Sequence, residues 1–158
     1  MSLEQTQQTI DHYFDVMTRG GDFAVYYTDD VTWTMTDTGD EVRGPSSVRD
    51  YIVGLHNNML DAHTPTIVVS DGHAYIEGDC QALTGSSSRI PYCVTYDIVD
   101  GRITAMRCYG RIGDMAPAVK PNFRTSTLQL RTPTGYRAPP KGEADPLLSA
   151  GRGPDYRT

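Results

Sequence analysis

The chain opens on a helical pattern. Between residues 3 and 18, Ile10, Tyr13, Phe14 and Met17 recur at helical spacing on one stripe, which predicts an amphipathic helix. Arg19-Gly20-Gly21-Asp22 stops it. The segment FAVYYTDD reads as a short helical turn, and strict alternation then begins. Val31, Trp33 and Met35 take one face and three threonines the other, the signature of a half-buried strand. Asp37-Thr38-Gly39-Asp40 turns the chain into a brief return strand, Glu41-Val42-Arg43-Gly44. Pro45-Ser46-Ser47 opens a second helix to about Leu60, with Val48, Tyr51, Ile52, Leu55 and Met59 as its buried stripe. His56 sits at the margin of that stripe.

Three strand-like segments follow at about 65–70, 73–84 and 89–99, and a last strand starts at Arg102. Asp100-Gly101 joins the final two. Asp-Gly between strand-forming runs predicts a two-residue hairpin, because both central positions need positive φ. Along the 89–99 strand, Ile90, Tyr92, Val94, Tyr96 and Ile98 share one face, and Pro91, Cys93, Thr95 and Asp97 share the other. A slip of one residue would expose the whole apolar set, so that set is expected to meet the helices and Asp97 to point outward. Helix, short helix, hairpin, helix and a run of antiparallel strands define an α+β class, with helices on one face of a curved sheet.

Charge adds a boundary that periodicity does not show. Residues 1–114 carry 7 Lys/Arg against 17 Asp/Glu, whereas residues 115–158 carry 7 against 3 together with seven of the ten prolines. Two regions are therefore expected: a folded domain over 1–114 and a basic, Pro/Gly-rich extension over 115–158, flexible and extended on its own. Thr125–Arg131 has the composition for one added strand, and the opposite charges predict that the extension lies across the acidic domain or a partner copy. The acidity and the lack of a basic stripe exclude a nucleic-acid partner. No apolar run is long enough to span a membrane. The N-terminal MSLEQTQQTIDHYF lacks a signal-peptide pattern. The three cysteines, Cys80, Cys93 and Cys108, fit reduced thiols in a cytoplasmic protein. There is no metal-ligand spacing and no phosphate loop, so neither metal nor cofactor is expected.

Three pieces, IDHYFDVMTRGGDFAVYYTDDVTW, EVRGPSSVRDYI and YDIVDGRITAMRCY, together resemble the SnoaL-like group across roughly residues 5–112. Its superfamily includes nuclear transport factor 2, ketosteroid isomerase, limonene epoxide hydrolase and scytalone dehydratase. The resemblance implies a cone-shaped α+β barrel, a curved antiparallel sheet wrapped on the N-terminal helices around a small-molecule pocket. It also implies a homodimer formed through the outer sheet face. Positions where such relatives carry acids and bases fall here on Met35, Val94 and Cys108, and an Arg-x-Asp pair falls near Gly78 and Cys80, or on Asp79. Only the helix tyrosine, matching Tyr13, keeps its polar type. A pocket is implied; a particular reaction has to be argued from the site.

The candidate catalytic residues are Tyr13, His56, Asp79 and Tyr96. Phenolic hydroxyls of Tyr13, Tyr92 and Tyr96 can stabilise an enolate-like charge in a dry pocket. His56, titrating near neutrality, suits proton transfer. Strict alternation turns Asp79 outward with Tyr75 and Glu77, unless a bulge at Gly78 reverses it. Trp33, Met35, Tyr92, Val94, Met106 and Cys108 are expected to line the pocket. Cys80 also has inward parity, Asp37 is expected to serve its turn, His12 the surface, and His63 and His73 loops. The function these residues and the resemblance point to is a cofactor-independent enzyme, of isomerase, cyclase, dehydratase or epoxide hydrolase type, acting by acid/base chemistry on a small, mostly apolar carbonyl, polyketide-like or terpenoid-like substrate. The alternative is a non-catalytic ligand-binding or dimerisation module of the same fold.

Overall fold

The computed structural model describes residues 1–83 and 88–115. The C-terminal extension, including the strand expected at Thr125–Arg131 and its docking on the acidic domain, lies outside them. Helix α1 (Leu3–Thr18) starts in a capping box: Gln5 N–H donates to Ser2 Oγ and Ser2 N–H donates to Gln5 Oε1. A 3-10 helix, Phe23–Tyr26, leads into β1 (Tyr27–Met35), which pairs with the short β2 (Glu41–Arg43). Gly44, at φ +86°, and Pro45 in the first turn start α2 (Pro45–Asn57). Then come β3 (Met59–Ser70), β4 (His73–Ala82), β5 (Ile90–Val99) and β6 (Arg102–Gly110).

The six strands form one curved, unclosed sheet in the order β2-β1-β6-β5-β4-β3. It is mixed rather than wholly antiparallel, because β1 and β6 run parallel. Local alternation could not show this, since strand direction depends on which distant strands meet. The Asp100-Gly101 hairpin forms as expected, with φ of 50° and 74°. The second helix stops at Asn57, three residues short of Leu60, and Met59 already belongs to β3. Asn57-Asn58 favours turn conformations over helix. Asn58 also donates through Nδ2 to the Met115 carbonyl, 2.8 Å away. Strand β3 begins six residues earlier than its composition predicts. It is an edge strand with two register shifts, which lets it accommodate Pro65.

Two inward rows cross the sheet. One runs Trp33, Met106, Tyr96, Ala74 and Val69; the other runs Met35, Cys108, Val94, Ile76 and Ile67. Both helices pack over these rows with the stripe Ile10, Tyr13, Met17, Val48, Tyr51, Ile52 and Leu55, all buried. Helix α1 is tied to two hairpins by threonines. Gly72 N–H donates to Thr6 Oγ1 at 3.0 Å, and Thr9 Oγ1 reaches the Gly101 carbonyl at 3.5 Å.

A third inward row is Gly110, Tyr92 and Gly78. The Tyr92 ring lies across Gly78. A Cβ at Gly78 would stand 2.8 Å from the Tyr92 hydroxyl and 2.5 Å from the His63 carbonyl oxygen. A clash with backbone cannot be relieved by rotating a side chain. Gly78→Ala is therefore expected to cost about 1–3 kcal/mol, read as a lower urea midpoint with unchanged m-value.

Candidate functional site

The cavity lies between the C-terminal halves of α1 and α2 and the inner face of β3, β4 and β5. From α1 come Tyr13, Phe14, Met17 and Thr18; from α2, Ile52, Leu55 and His56. The sheet supplies Trp33, Met59, Ala62, Thr64, Ile67, Ile76, Tyr92, Val94 and Tyr96, and Ile112 closes one side. The free volume is about 60 Å³. That suffices for about four to six waters, at roughly 10–15 Å³ each. Met17 and Met59, unbranched and adaptable, are the walls a larger guest would move. No Asp, Glu, Lys or Arg lines the cavity among the described residues, so it suits an uncharged guest.

His56 is the one titratable group here whose ordinary pKa lies near neutrality. It sits in the last turn of α2, and its Nδ1 is buried without a hydrogen-bond partner. Burial alone pushes its pKa down to about 4, so the ring is neutral at pH 7. Whichever tautomer it holds, the ring carries either a lone pair or an N–H with nothing to satisfy it.

Across the cavity the Tyr92 hydroxyl meets Thr64 Oγ1 at 3.2 Å. Each hydroxyl can donate once and still accept, so the pair can send one O–H toward a guest. The Tyr13 ring faces the cavity, but its hydroxyl is 3.0 Å from that of Tyr27. Tyr13 also stacks edge-on with Phe14, Phe23 and Tyr96. Burial raises the pKa of Tyr13, Tyr96 and Tyr92 above that of a free phenol, so all three remain protonated donors.

Four of the expected site residues lie elsewhere. Asp79 points to the outer surface, where Arg89 binds it together with Asp61, at 2.8 Å from Arg89 Nη1. Gly78 makes no face-reversing bulge, so strict alternation holds and the carboxylate misses the cavity. Met35, Met106 and Cys108 are fully buried in the inward rows and do not line the cavity, to which their row neighbours Trp33, Val94 and Tyr96 do contribute. Burial drives the Cys108 thiol up to about 12 and Cys80 up to about 11, away from nucleophilic chemistry. Trp33, Tyr92, Val94, Tyr13, Tyr96 and His56 do share the cavity.

Asp97 faces outward, held by Arg107 at 2.5 and 3.0 Å and by His73 Nδ1 at 3.1 Å. His12 is exposed, whereas His63 and His73 lie in β3 and β4 instead of loops. Asp37 is exposed and accepts from the Thr38 N–H within its turn. Periodicity missed Thr64 and Ile67, because the register shifts of β3 hide its alternation. Ile112 was missed because it follows the last strand. Among the described residues no group of three His, Cys, Asp or Glu side chains is placed to hold a metal ion. None of their helices is long and apolar enough to cross a membrane.

Comparison with known proteins places this architecture. The SnoaL-like domain family matches residues 10–106, and the chain belongs to that family. A steroid delta-isomerase from Pseudomonas aeruginosa superposes with a TM-score of 0.61 at 11% identity, over 70% of this chain and 88% of that one. An NTF2-like protein from Burkholderia xenovorans LB400 gives 0.60 at 15% identity, over 71% and 93%. A de novo designed protein with a curved β-sheet gives 0.58 at 14% identity, over 73% and 97%. No curated protein matches the sequence. At such identities the likeness is one of fold; that a designed protein shares it shows how little the fold alone says about chemistry.

The His56 environment carries a signature in stability. An unfolded histidine takes up its proton near pH 6.5, but the folded one resists until about pH 4. This contribution is complete above about pH 6.5 and is lost as pH falls toward 4, by roughly 3 kcal/mol in all. Urea unfolding of wild type and His56→Leu at pH 7 and pH 4.5 should show the variant gaining on wild type at the lower pH.

Proposed function

We propose that this protein is a cofactor-independent acid/base enzyme acting on a small, uncharged, largely apolar carbonyl compound. The carrying observation is the neutral His56, its Nδ1 buried without a partner, in a cavity that no formal charge lines among the described residues and that also holds the Tyr92–Thr64 hydroxyl pair. In this reading His56 removes a proton from the carbon beside a carbonyl. The Tyr92 O–H donates to the carbonyl oxygen as negative charge develops there, while Thr64 donates to Tyr92. The imidazolium then returns the proton to a different carbon, and the double bond has moved with no net gain or loss of atoms. Imidazolium is disfavoured in this apolar setting, which drives the return step. Because its hydroxyl is already paired with Tyr27, Tyr13 serves the wall rather than the reacting oxygen.

The probe is 3-cyclohexen-1-one, neutral and compact, whose isomerisation to the conjugated 2-enone is followed by ultraviolet absorbance. His56→Gln is expected to lower kcat by about 10²–10⁴-fold with little change in KM. The wild-type rate should be level from pH 8 to about 5 and fall with a midpoint near 4. A second reading, a binding module without turnover, is favoured by the buried, apolar setting of Met35, Val94 and Cys108. Enone binding without turnover, unchanged in His56→Gln, would select it.

We further propose that the protein works as a homodimer through the outer sheet face. A groove of about 330 Å³ lies there, lined by Val68, Tyr75 and Tyr109 together with Thr66, Pro91 and Cys93. Val68, Tyr75 and Tyr109 are 53%, 44% and 45% exposed. A two-fold interface sets a patch against itself, and this one carries Glu77 as its only charged lining residue, so like-charge repulsion is small. Light scattering should give a dimer for wild type and a monomer for the Tyr75→Asp/Tyr109→Asp double variant; a monomeric wild type would refute it.

A further inference from the structure

Tyr51 is 5% exposed, and its hydroxyl is buried without any hydrogen-bond partner. Phenylalanine would fill the same space at no such cost, so the oxygen needs a reason. Among the described residues no acceptor makes a hydrogen bond to it. Asp37 and Asp40 lie near enough to act on its charge, yet Asp37 Oδ1 accepts from the Thr38 N–H at 2.9 Å and Asp40 Oδ2 from Thr38 Oγ1 at 2.8 Å. The third group acting on it, the Cys108 thiol, is itself buried. Burial and the two carboxylates push the phenol up to about 12, so it remains a donor at every physiological pH.

Trp33 connects this hydroxyl to the cavity. The indole lines the cavity and packs against Tyr51, with ring centroids 6.3 Å apart. Its N–H has only the Met35 thioether as acceptor, at 3.2 Å. Thioether sulfur accepts weakly, so the indole N–H, though buried, is only weakly satisfied. Two under-satisfied donors thus sit side by side, Trp33 in the cavity wall and Tyr51 packed against it.

We propose that Tyr51 is a specificity-determining residue of the cavity: when a guest turns Trp33 aside, its hydroxyl donates to a second oxygen on that guest. This rests on the cavity being a ligand site. It extends the substrate class from compounds with one carbonyl to apolar compounds with an oxygen acceptor at each end.

Cyclohexanone and 1,4-cyclohexanedione test it, being alike in shape and different by one carbonyl. Calorimetric titration of wild type should favour the dione about tenfold, the worth of one net hydrogen bond. Tyr51→Phe should erase that preference and leave the cyclohexanone Kd unchanged. It should also raise Tm by about 2–8 °C, because an unsatisfied buried hydroxyl is gone. Equal affinities in wild type, a preference surviving in Tyr51→Phe, or a lowered Tm would each overturn the proposal. Failed enone turnover with the dione preference intact would remove the catalytic reading alone; binding of neither ketone would remove both.

Discussion

Side chains that cross the inner face of the sheet in register hold this molecule together. Trp33, Met106, Tyr96 and Ala74 form one row, and Met35, Cys108, Val94 and Ile76 the next. Every strand must present its apolar set to the same side for the rows to exist. A one-residue slip in β5 alone would turn Tyr92, Val94, Tyr96 and Ile98 to water and bring Asp97 and Thr95 under the helices. The third row differs in kind. Glycines at positions 78 and 110 flank Tyr92, so its ring can lie over the sheet and reach Thr64 on the edge strand. All three rows supply cavity lining: Trp33 and Tyr96 from the first, Val94, Ile76 and Ile67 from the second, and Tyr92 from the third.

The hollow is maintained at a thermodynamic cost. His56 keeps a bare ring nitrogen in an apolar setting, and Tyr51 a bare hydroxyl, both on α2 and both in or beside the cavity. Unsatisfied buried polar atoms are few in native proteins, and those present tend to mark sites where stability is exchanged for activity. The outer face of the same sheet carries the ion pairs. There Asp97 is satisfied by Arg107 and His73, and Asp79 by Arg89. The ion pairs of the sheet lie on the convex side, and among the described residues no Asp, Glu, Lys or Arg lines the cavity on the concave side. That division explains why the carboxylates, the obvious acid/base candidates by residue type, lie off the cavity.

Alternation and turn chemistry determined much of this from sequence alone. The stripes of α1 and α2, the Asp100-Gly101 hairpin, the inward set of β5 and the outward Asp97 all follow from local sterics, since a strand's side chains alternate whatever the strand pairs with. The tertiary structure decided what depends on distant neighbours. It set the parallel pairing of β1 with β6, the early start of β3 and the separation of cavity wall from core. Met35, Met106 and Cys108 have the same inward parity as Val94 and Tyr96, but only depth within the cone tells lining from filler. Nor could spacing reveal that His56 and Tyr51 lack partners. A hydrogen bond is a relation between atoms whose closeness the whole fold creates, and its absence is visible only once every neighbour is in place.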